Sequence, residues 1–68
     1  MKIWIQNRNM ITEQPRCIWI TSDGKVESNN RRVPVLGAYK DEARARQVLA
    51  EIFEFQRNGK CNYIMPQE

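Results

Sequence analysis

The triplet Ile-Trp-Ile occurs twice near the start of the chain, at residues 3 to 5 and 18 to 20. β-Branched and aromatic side chains suit a pleated surface, so residues 2–7 and 16–22 read as strands. Between them residues 8–15 are polar and end in a proline, which predicts a connecting loop. Asp23-Gly24 is a dipeptide favoured in a two-residue hairpin turn, because both central positions need positive φ. That turn sends residues 25–28 back along the second strand. Asn29-Asn30 offers a second turn of the same kind, and residues 31–36 then form a fourth strand. Pro34 cannot donate to a ladder, so it belongs on an edge or at a bulge.

From Asp41 the period changes from two to 3.6. Ala45, Val48, Leu49, Ile52 and Phe53 fall on one helical face, extended by Phe55, while Arg44, Gln47, Glu51, Glu54 and Arg57 occupy the other. Asp41 is placed to cap the N-terminus, Glu42 complements the dipole, and Asn58-Gly59 supplies the stop. A short extended piece, from Cys61 to Met65, ends at Pro66. The expected architecture is therefore α+β in a single domain: a strand-rich region over residues 1–40, a helix over 41–58 and a terminal strand over 60–66. The strands form a small antiparallel β-meander of three to four members packed on one C-terminal α-helix.

Alternation sets Trp4 opposite Ile3 and Ile5, and Trp19 opposite Ile18 and Ile20, so both faces of the strands are apolar. With two-residue turns, Trp19 shares its face with Cys17, Val26 and Val33, whereas Glu27 and Arg32 become cross-strand partners on the Ile18 and Ile20 face. This register favours the tryptophan face beneath the helix. One helix cannot cover both faces, and a large apolar patch marks an interface. The second face is expected either to meet a homodimer mate or another protein, or to be covered by the 8–15 loop, with Met10 and Ile11, and the Cys61-to-Met65 tail.

Charge narrows the candidate surface. With 68 residues the chain has room for one core, and it carries Lys+Arg 11 against Asp+Glu 8, for a net charge of +3. The whole excess falls in residues 1–32, with Arg31-Arg32 its densest point. Trp4, Trp19, Arg8, Lys25, Arg31 and Arg32 are accordingly the candidate partner-binding residues, since tryptophan and arginine are the usual anchors of interfaces. Basic groups interleaved with tryptophan also suit stacking of single-stranded bases, which makes nucleic-acid binding the alternative reading.

Catalysis finds little support in the residue inventory. The chain has no histidine, the commonest general base and metal ligand, and no acidic pair set in an apolar run. Gly24, Gly37 and Gly59 serve turns or a cap rather than a phosphate loop. Cys17 and Cys61 lack the short-spaced partners of a zinc site and are expected to be reduced, buried thiols. Neither catalytic residues, nor a metal, nor a cofactor is expected. The apolar runs are too short to cross a bilayer and the N-terminus too short for a secretion signal, so no membrane contact and a cytoplasmic location are expected.

The C-terminal half carries a resemblance. Leu36-Gly37-Ala38-Tyr39, Asp41-Glu42, Arg44-Ala45-Arg46-Gln47-Val48-Leu49 and Tyr63-Ile64-Met65-Pro66 resemble the tail of short, uncharacterised proteins of Firmicutes and their phages. Those end in Leu-Gly-x-Tyr, a helix opening with Thr-Glu-Glu-Arg-Ala, and Tyr-x-Met-Pro. Asp41 stands where they often have a capping Thr, and Ala43 where they often have a second Glu. The resemblance implies a small cytosolic accessory protein, phage or prophage encoded, and it implies no activity. The expected function is thus a non-enzymatic protein–protein interaction module that binds and modulates a host or phage protein.

Overall fold

A computed structural model describes residues 1–7 and 10–68. Among them the chain forms β1 (Lys2–Trp4), β2 (Ile11–Glu13), β3 (Ile18–Ile20), β4 (Lys25–Ser28), β5 (Val35–Ala38), α1 (Glu42–Arg57) and β6 (Asn62–Ile64). The fold is α+β, with the meander β3-β4-β5 as one three-stranded sheet and β2-β1-β6 as a second. The second sheet draws on both parts of the chain held in reserve as covers. Ile11–Glu13 pairs antiparallel with one edge of β1 and Asn62–Ile64 parallel with the other, so both widen the sheet instead of lying over a face.

The register of the meander reverses the expected facing. Its first turn is a three-residue loop, not the two-residue turn expected of Asp23-Gly24. Thr21 N–H donates to Lys25 O, Gly24 N–H donates to Thr21 O, and Gly24 takes φ +96. A three-residue loop closed by a left-handed glycine shifts the pairing by one position, and one position turns every side chain over. Ile20 therefore faces Val26, Trp19 faces Glu27 and Ile18 faces Ser28. The isoleucines, not the tryptophans, point into the core, and Glu27 stands beside Trp19 on the outer face.

The second connection is also longer than two residues. Asn30 Oδ1 accepts from the N–H groups of Arg32 and Val33, and Ser28 N–H donates to Pro34 O, so β5 begins only at Val35. Arg32 thus sits in a loop, not in a ladder facing Glu27. Pro34 enters β5, an edge strand with an irregular register opposite Val26 and Glu27. One extra β5 residue there lets consecutive Leu36 and Gly37 both be buried.

One core serves both sheets and the helix. Ile3, Ile5, Tyr63 and Met65 come from the β1–β6 side, Val26 and Leu36 from the meander, and Ala45, Val48 and Ile52 from α1. Asp41 caps the helix, its side chain accepting from Arg44 N–H at 2.9 Å. The buried helical face centres on Ala45, Val48 and Ile52 with Phe55 at its margin, which leaves Phe53 outside at 44% exposure. Phe55 meets Tyr63 edge-on, with ring centroids 5.0 Å apart.

Gln6 joins the two sheets. Its backbone N–H donates to Leu36 O, its side-chain oxygen accepts from Ala38 N–H at 2.7 Å, and its amide nitrogen donates to Pro66 O at 2.9 Å. The residue is only 7% exposed, so each of these bonds satisfies a group withdrawn from water.

Candidate interaction surfaces

Sheet pairing assembles three surfaces. On the outer face of the β2-β1-β6 sheet, Trp4 lies directly between Ile11 and Ile64 in register. Trp4 is half-buried, while Ile11 is 43% and Ile64 66% exposed, an apolar row three strands wide in contact with solvent. The next row on that face, Glu13, Lys2 and Asn62, is polar and exposed.

The outer face of the meander carries Trp19, which is 43% exposed, with Glu27 and Val35 beside it. Trp19 Nε1–H donates to a Glu27 carboxylate oxygen at 3.1 Å. Lys25 lies one residue pair further along this face, and its ammonium is 3.7 Å from the Asp23 carboxylate. Asp23 itself is held below its ordinary pKa, first by the Thr21 hydroxyl and then by Lys25. One carboxylate beside the indole and another beside the lysine are poor company for a nucleic-acid phosphate.

The third surface is a groove of about 780 Å³ along residues 10–15, closed on its other side by Asn29, Asn30, Arg32 and Val33 of the β4–β5 loop. Asn30 anchors that wall, its side-chain amide donating to Thr12 Oγ1 at 2.7 Å. Arg31 and Arg32 are exposed, and neither forms an ion pair among the described residues.

The candidate residues are therefore dispersed. Trp4 belongs to one sheet, Trp19 and Lys25 to the other, and Arg31 and Arg32 to the loop beyond the far end of β4 from Lys25; Arg8 lies outside the described residues. Sequence reasoning missed Ile11 and Ile64 as site residues. The signal for Ile64 was present, since alternation with Tyr63 and Met65, both buried, turns it outward.

Cys17 and Cys61 are free thiols, and both are exposed instead of buried. Each sits just before a short strand, β3 or β6, outside the paired positions that face the core. Among the described residues no group of three or more Cys, Asp or Glu side chains is arranged to hold a metal ion, and no helix is long and apolar enough to cross a membrane. Comparison of the chain with family models, with curated proteins and with solved structures finds no match.

Proposed function

We propose that this chain is a non-enzymatic protein–protein interaction module, an accessory protein that acts by occupying a surface of its partner. The observation that carries the reading is the row Ile11–Trp4–Ile64 on the outer face of the β2-β1-β6 sheet. A tryptophan flanked by two exposed aliphatic side chains, with a polar row alongside, has the make-up of an interface centre and its rim. The phage or prophage setting implied by the tail resemblance belongs to the same proposal.

The test uses Ile64→Glu, because a side chain 66% exposed is replaced at little cost to folding. Wild-type protein is expected to retain a protein partner from lysate of its source cells through nuclease treatment and raised salt, and Ile64→Glu to lose it. Recovery of nucleic acid alone, lost on raising salt and on Arg31→Ala with Arg32→Ala, would replace this reading with the nucleic-acid one.

A further inference from the structure

The groove beside β2 is bordered by an open sheet edge. Ile5 N–H donates to Met10 O and Gln14 N–H donates to Met1 O, both at 3.0 Å, which fixes the alternation of β2. Met10, Thr12 and Gln14 turn their backbone groups toward β1, and Ile11 and Glu13 turn theirs the other way, to the open edge beside the groove that residues 10–15 line. The Glu13 carbonyl accepts the Thr12 hydroxyl at 3.2 Å; Ile11 N–H, Ile11 C=O and Glu13 N–H have no partner among the described residues. The outer edge of β5 differs, since Gln6 occupies it through Leu36 O and Ala38 N–H.

From this geometry we infer that the β2 edge takes up an extended segment of a partner protein as an additional strand, and that the segment is acidic. The inference rests on the reading of the chain as an interaction module and names the kind of partner that module binds. Unpaired backbone groups on a strand edge select an extended backbone, and the wall opposite selects its charge. Arg32 lines that wall, with Arg31 next to it in the chain and neither neutralised by an ion pair among the described residues.

A second copy of the chain is the less suitable occupant. The Asn30–Thr12 bond places the β4–β5 loop on the inner side of β2, the side of Ile3 and Tyr63. Two β2 strands joined about a two-fold axis keep their inner sides on the same face of the joined sheet. Arg31 and Arg32 of both copies would then approach one another, whereas an acidic segment neutralises them.

Glu13→Pro isolates the edge, because it removes the outward N–H and leaves the β1 ladder intact, while Glu13→Gln keeps the N–H and removes only the charge. The probe is a displayed library of random peptides about eight residues long, a length that spans a strand of this size. Enriched peptides are expected to be rich in β-branched residues with one or more acidic positions. They should bind Glu13→Pro roughly tenfold more weakly or worse, a margin in keeping with loss of an interface hot spot, and bind Glu13→Gln at least as well as wild type, since that change removes a like charge beside an acidic segment. Arg31→Glu with Arg32→Glu, both exposed and independent of the strand's own folding, should switch the preference to basic peptides. Circular dichroism of each variant verifies its fold. The edge inference is overturned if no peptide is enriched, if enriched peptides bind Glu13→Pro unchanged, or if a dimer forms that Glu13→Pro dissociates. Peptides lost on Ile64→Glu but kept by Glu13→Pro would overturn the edge inference and leave the interaction module standing.

Discussion

Two glycines with positive φ show how differently one residue type is used. Gly24 is buried in the β3–β4 turn, its carbonyl accepting from Tyr39 N–H at 2.8 Å, and a Cβ there would stand 2.5 Å from the Tyr39 carbonyl oxygen. Gly59, at φ +70 beyond the helix, would meet nothing within 4 Å. Gly59→Ala is therefore expected to cost about 1 kcal/mol, the left-handed penalty alone. Gly24→Ala adds a clash with rigid backbone and should cost about 2 kcal/mol or more. Denaturant unfolding of the two variants checks the order; equal losses would mean that the turn yields. Gly24 also fixes the three-residue loop that faces the isoleucines inward, so the strain falls on the register that sets both outer surfaces.

Among the elements, α1 is set chiefly by its local sequence. Asp41→Ala removes the side chain that accepts from Arg44 N–H and should lower stability by about 1 kcal/mol, with Asp41→Ser recovering most of it, as urea unfolding would report. The helix was legible before the structure because its cap, 3.6-residue period and stop lie within its own residues. β3 and β4 were legible for the same reason, being joined by a short turn of recognisable composition, whereas β5 runs over Val35–Ala38 instead of the expected 31–36, because Asn30 and Ser28 hold residues 29–34 in a longer loop. The facing of the meander was not, since Asp-Gly serves both two- and three-residue loops and a single position decides between them. β2 was not legible either: Ile11–Glu13 is three residues long and is a strand only by virtue of pairing with β1. The candidate surface followed suit. Trp4 and Trp19 stood out by residue type, but Ile11 and Ile64 join Trp4 only through pairing partners distant in the sequence.

Taken as a whole, the molecule closes around two buried phenols. Tyr39 Oη donates to Pro66 O at 3.2 Å, whereas Tyr63 Oη is buried with no hydrogen-bond partner among the described residues. Burial is the main cause that pushes both pKa values up, with carboxylates adding to it: Glu68 most strongly for Tyr39 and Glu51 for Tyr63. In the unfolded chain both release their protons near the ordinary value of 10.0, while the folded chain retains them. Above that pH the unfolded state binds fewer protons, so stability falls as pH rises; below it these groups contribute no pH dependence. The chain has only these two tyrosines, so phenolate absorbance and circular dichroism followed together should change in one step above pH 10. Phenolate appearing near that pH with the fold intact would refute the expectation. The parallel pairing of β1 with β6 has a consequence in time. Lys2 and its partner Asn62 are separated by 60 positions, as are Gln6 and Pro66. At synthesis rates of about 5–20 residues per second, β1 waits roughly 3–12 s for the strand that completes its sheet. β2, the meander and the helix all precede β6 in the chain, so the nascent chain passes through an interval in which they can assemble while the β6 edge of β1 is still open to any other strand in reach.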